Sequence, residues 1–132
     1  MNTNIPPAWP QPGSVVSVPV FLFYRHKGIV SDRWYNGRPM IISTSARSGG
    51  VREEPWEVFA QGSVVSGEDY PGSLPAWEVL HRARSSIGST YALFTRNCEQ
   101  FVLYAHGLEP RSPQVSITIG AALLIGLLAA AG

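Results

Sequence analysis

A chain of 132 residues holds one small domain with a core of its own rather than two. Hydrophobic residues at 45 % against charged residues at 14 % exclude a disordered chain, and a net charge of +1 excludes steering toward nucleic acid by a global basic field. With one cysteine there is neither an intramolecular disulfide nor a thiolate zinc site.

In chain order, residues 1–13, MNTNIPPAWPQPG, read as a proline-rich N-terminal arm without the basic and apolar run of a secretory signal. The folded domain is expected over residues 14–110. SVVSVPVFLFY and RHKGIVSD are dense in β-branched and aromatic residues and predict strands, with Pro19 marking a break or an edge. Asn36-Gly37, between GIVSDRWY and PMIISTS, tolerates the two positive φ angles of a type I′ turn, which predicts strand, turn, strand across residues 26–45.

VREEPWEVFAQG reads as a short mixed segment ending at Gly62, followed by the turn-rich SGEDYPGS. Ser73 is a candidate cap for a helix over LPAWEVLHRARSSIG with Gly88 as its stop, and the spacing turns Trp77, Leu80 and Ile87 toward the core. A second helix is expected from Asn97, where Asn97 and Gln100 have the spacing of a capping box and Gly107 supplies the stop. The tail, residues 115–132, carries no charge and as a helix would be roughly 27 Å long, close to a bilayer core of about 30 Å. It predicts a C-terminal hydrophobic helix acting as a single-pass transmembrane anchor. Arg111 just before the tail, with no charge after it, would keep the domain on the cytoplasmic side.

Cys98, in FTRNCEQFVLY, falls in the first turn of that second helix, where free N–H groups and the positive dipole end favour a thiolate. The same position suits an inert packing residue, since Phe101, Val102 and Ala105 share its helix face. A nucleophilic thiol needs a base. His106, eight residues along the helix and roughly 12 Å away by rise, is out of reach and reads as a partner of the C-terminal dipole. His81 lies among Arg82 and Arg84 on a basic helix face. His26 stands on a predicted strand, and Gly28 two residues on leaves room on the same strand face for a ligand or another backbone.

PGSVVSVP, YRHKGIVSD, GRPMIISTS, GGVREEPWEVFAQG and RARSSIGSTYALFTRNCEQFVLYAHG together resemble the lecithin:retinol acyltransferase-like branch of the NlpC-type, circularly permuted papain-like thiol hydrolases. The resemblance covers about residues 12–107. It implies an α+β, permuted papain-like fold, with a small antiparallel sheet packed against helices including that of Cys98. It also implies Cys98 as nucleophile and His26 as general base and acid, and many members of that branch carry a hydrophobic C-terminal anchor. The chain departs from the family at the third position, where a second histidine or another polar residue is common and this sequence has MIISTS. Ser43 is the nearest match there, a hydroxyl able to accept a hydrogen bond from imidazole without a carboxylate's charge.

The expected activity is thiol-based acyl transfer or hydrolysis through an acyl-thioester on Cys98, with N–H groups of the helix start, and Tyr24 as an assistant, at the oxyanion. An anchored domain meets acyl chains at high local concentration, so phospholipid is the leading substrate. The alternatives are a cysteine amidase or peptidase and an inactive membrane-tethered interaction module. No cofactor, metal or nucleic-acid partner is expected, and the sequence leaves oligomeric state open.

Overall fold

A computed structural model describes residues 9–21, 24–45, 49–88 and 98–108. The chain runs β1 (Val15–Phe21), β2 (Tyr24–Tyr35), β3 (Arg38–Ser45), β4 (Gly50–Glu54), α1 (Trp56–Ala60), β5 (Ser66–Gly67), α2 (Ala76–Ser85) and α3 (Cys98–Ala105). The five strands form one antiparallel sheet in the order β4-β3-β2-β1-β5. The α+β class is as expected.

Apolar doublets build the two faces of this sheet. In a strand, successive side chains point to opposite faces. Val15, Ile29 and Ile42 accordingly pack against Val79, Leu80 and Ala83 of α2 and Phe101, Val102 and Ala105 of α3. Their neighbours Val16, Val30 and Ile41 join Val18 and Phe59 of α1 on the other face. Sheet alternation therefore assigns Arg25, Lys27 and Ile29 to the α2/α3 face, and His26, Gly28 and Val30 to the α1 face.

The β2–β3 hairpin turns at Asn36 and Gly37 with φ of 54° and 74°, as the dipeptide predicts. Pro19 lies beyond Val16 and Ser17, the two residues that β5 covers, and a register shift follows between Pro19 and Phe21. There a missing N–H costs the sheet nothing. The arm's last residues are packed: Gly13 N–H donates to Val30 O at 2.8 Å, and the Trp9 ring meets those of Trp56 and Trp34 edge-on at 5.0 and 6.3 Å.

Three expectations about the helices need correction. In α2 the buried face is Val79, Leu80 and Ala83, while Trp77 and Ile87 are 69 % and 41 % exposed. The helix starts at Ala76 after Pro75 without a side-chain cap, so Ser73 does not set its phase. His106 is not a cation at the end of α3. It is buried, its Nε2 lies 2.9 Å from Gly13 O, and burial holds its pKa below the usual value against the opposing pull of that carbonyl. Gly107, φ 77°, ends α3 as expected, with Leu108 N–H on Leu103 O and Gly107 N–H on Tyr104 O.

Among the described residues no helix is long and apolar enough to cross a membrane. The predicted anchor at 115–132 and the capping residue Asn97 lie outside the described residues.

Candidate active site

β2 and β3 pair from the hairpin as far as Ile29↔Ile42, and among the described residues no further pairing joins them toward Tyr24. β3 continues on β4 instead, through Ser43↔Arg52 and Thr44↔Val51. The parting of the strands leaves backbone groups of β2 near Tyr24–Lys27 without a strand partner on that side. Buried polar groups must find partners elsewhere.

The sulfur of Cys98 fills that place. Cys98 is 4 % exposed at the first position of α3, and Lys27 N–H donates to its Sγ at 3.2 Å. Tyr24 Oη lies 3.4 Å from the same sulfur, and Arg25 O accepts from it at 3.9 Å. Burial, then the hydrogen bond and charge of Cys98 and the charge of Glu99, hold the Tyr24 hydroxyl well above its usual pKa. It stays protonated at neutral pH and available as a donor. A thiol at this spot can thus give its proton to the Arg25 carbonyl, while a thiolate keeps the Lys27 and Tyr24 donors.

His26 stands between the two residues whose backbone touches the sulfur. Its ring lies tilted on that of Phe59, centroids 5.3 Å apart, on the α1 face, whereas α3 covers the opposite face. Ser43 is buried on β3 and, by the register Val30↔Ile41, shares the His26 face. The structure joins Tyr24 to Cys98 directly, and His26 and Ser43 share one face of the sheet. The room expected beside Gly28 is occupied: a Cβ there would stand 2.5 Å from Ile41 Cγ2 and 2.9 Å from Phe59 Cε1. Gly28 lets Phe59 close under the sheet beside His26 rather than admitting a ligand.

Sequence reasoning missed three contributors. The Lys27 N–H is a backbone donor and leaves no side-chain signature. Phe59 gave no signal beyond being apolar. Glu68, beside the two-residue strand β5, is drawn to the site by Ser17, Arg25 and Lys27. Its only hint was the cationic pair flanking His26. Among the described residues no group of histidine, cysteine and carboxylate side chains is arranged to hold a metal ion.

An antiparallel sheet with one thiol seated against its central strand, at the start of a packed helix, makes this an α+β domain. The model of the lecithin retinol acyltransferase family matches residues 10–108, three quarters of the chain, and the chain belongs to that family. No curated protein matches it significantly. Family membership indicates acyltransferase- or hydrolase-type chemistry.

Proposed function

We infer that the chain is a cysteine-dependent acyltransferase or hydrolase acting on acyl lipid. Cys98 attacks an ester carbonyl, its proton passes to His26, and the tetrahedral oxyanion is held by N–H groups at the start of α3 with help from Tyr24. Collapse expels the alcohol, which takes the proton from His26, and leaves an acyl-thioester. Water or a second acceptor, deprotonated by His26, then releases the acyl group. The observation that carries this reading is the seat of the sulfur between the Lys27 N–H and the Tyr24 hydroxyl.

His26 must come within hydrogen-bond reach of the sulfur for this scheme. Its backbone lies between two residues that already touch Sγ. The Ser43 hydroxyl, on the same face, is the acceptor proposed to orient its ring. The uncharged run at 115–132 supports a bilayer as the source of substrate, with the domain held on the cytoplasmic side.

Intact-mass spectrometry after brief exposure to phospholipid vesicles tests the proposal. A Cys98-dependent mass increase equal to an acyl group is expected, absent in Cys98→Ala. Lipid cleavage that persists in Cys98→Ala would overturn it. No adduct on a sulfur that still alkylates rapidly at neutral pH would shift the reading to amide substrates.

A further inference from the structure

The aromatic contacts of the N-terminal arm reach His26 by way of α1. This helix has five residues, and a helix so short does not hold its shape by its own hydrogen bonds. Pro55 at its start gives no side-chain cap, and the Arg38–Glu57 pair that ties it to the β2–β3 hairpin is exposed and contributes little. Its place on the sheet therefore comes from packing. Phe59 and Ala60 are its buried residues, and Trp56, partly buried, packs against the cluster that holds Phe59.

Trp9 covers part of what Trp56 leaves open. Its ring meets that of Trp56 at 5.0 Å and 69°, and that of Trp34 at 6.3 Å and 81°, both in the edge-on arrangement that aromatic pairs prefer. The indole of the arm is thus wedged between the first residue of α1 and the hairpin end of β2. Its carrier is stiff, because Pro10 and Pro12 fix φ at two of the three positions between Trp9 and Gly13. That short strut is tied down at its far end, where Ser14 N–H donates to Gln11 O at 3.0 Å and Gly13 N–H to Val30 O at 2.8 Å.

The same contacts run on to the imidazole. Phe59 lies three residues beyond Trp56 on the same side of α1, and the His26 ring rests on it with centroids 5.3 Å apart. We propose that Trp9 is a positioning residue for His26: it clamps α1 to the sheet and, through Trp56 and Phe59, fixes where the imidazole stands. Gly28 sets how near Phe59 comes to the sheet, and Trp9 keeps it there. This inference rests on the acyl-transfer reading for the role of His26, but the placement of the ring can be tested without turnover.

The test is the carbon–proton correlation spectrum of the histidine rings in the full chain. The sequence has three histidines, and His26→Gln and His81→Gln identify two of the signals by their loss. Phe59→Leu, a swap between large apolar side chains, removes the ring current on His26 and sets the full displacement of its signal. Trp9→Ala is expected to move that signal in the same direction, Trp56→Ala to move it at least as far, and Trp9→Phe to keep it at its natural position. Trp9→Ala combined with Trp56→Ala should displace it no further than Trp56→Ala alone, since the two act in series. The signal of His81, exposed on α2, is the internal reference and stays in place. If Trp9→Ala does not fold, Trp9→Leu replaces it and is read by the same outcomes. A His26 signal that Trp9→Ala leaves unmoved, one that moves together with His81, or displacements that simply add in the double variant would each defeat the proposal. Where turnover is measured, Trp9→Ala should lower kcat about tenfold and leave KM within about twofold, as a misplaced base does and a weakened binding site does not. Absent turnover in the natural chain would count against the catalytic proposal and leave the His26 result standing.

Discussion

The backbone N–H of Lys27 donates to the sulfur of Cys98 at 3.2 Å across 71 residues of sequence. Had β2 and β3 gone on pairing in register past Ile29↔Ile42, Lys27 would stand opposite Thr44. Thr44 instead pairs with Val51, and its buried hydroxyl has no hydrogen-bond partner among the described residues. One event, the parting of two strands, thus frees a donor and admits the sulfur to it. The Cys98 sulfur is positioned by the sheet as much as by its own helix.

Tyr24→Phe removes one of the two donors that the described residues offer that sulfur, and little packing, because the ring is about half exposed. A hydrogen bond to a charged group contributes about 1.5–3 kcal/mol, so the alkylation rate of Cys98 at neutral pH should fall roughly tenfold or more. Thermal stability should hardly move. Stopped-flow alkylation and a melting curve on the same sample check both halves. An unchanged rate would show that the hydroxyl does not serve the sulfur.

Gly28→Ala tests the link between the core and His26, the proposed base. The added methyl would lie 2.5 Å from Ile41 Cγ2, 2.9 Å from Phe59 Cε1 and 3.2 Å from Ile42 O, so Phe59 has to shift. Overpacking of this kind costs about 1–3 kcal/mol. Because the His26 ring rests on Phe59, turnover should drop further than the lost stability explains at a temperature where the protein is still folded. Urea denaturation and kcat measured together separate the two. Full activity in a destabilised protein would remove Phe59 from the site.

How much of this was legible in the sequence depends on how local each signal is. The Asn36-Gly37 turn, the strands around it and the stop at Gly107 are set by backbone preferences of the residues themselves, and they stand where expected. Strand β5 could not be read, since Ser66 and Gly67 carry no strand preference and gain their pairing from β1. The phase of α2 was misread because Trp77 and Ile87 are large and apolar, while its buried face uses the smaller Val79 and Ala83. Cys98 and Tyr24 were legible as residues. Their meeting was not, for it depends on where two strands separate.

Glu53 joins the sheet to α2. Its carboxylate side chain is nearly buried and accepts from Ser31, Arg33 and Arg84, while Arg84 also reaches Asp32 at 2.6 Å. Burial alone would raise the Glu53 pKa, but the bonds from Arg84 and Ser31 outweigh it and hold it below the usual range. Glu53→Gln keeps the shape and removes the charge that Arg84 faces. It should cost about 1–3 kcal/mol in urea denaturation. A loss under half a unit would mean that Asp32 alone suffices for Arg84.

His106 gives the protein a pH response separable from that of its carboxylates. Nε2–H donates to Gly13 O at 2.9 Å, the Tyr70 ring stands edge-on at 4.4 Å, and Nδ1 is buried without a hydrogen-bond partner among the described residues. Protonation would place a charge on that buried nitrogen, and burial accordingly lowers its pKa in the folded state. The sign follows from proton counting. Below an unfolded value of about 6.5 the unfolded chain binds a proton that the native chain refuses, so stability falls as pH drops from there toward the folded pKa. Above 6.5 the group contributes no slope. Asp32 and Glu53, whose pKa values are lowered, act on the acid side of about 4.5, leaving the window between roughly 5 and 6.5 to histidine. Urea midpoints across that window should decline for the natural chain and flatten in His106→Gln, whose amide can still donate to Gly13 but does not titrate. The variant will be less stable at neutral pH for lost packing, so the slope and not the midpoint is the measure. An unchanged slope would mean that His106 protonates as readily folded as unfolded, and that the contact between the arm and the end of α3 opens at little cost.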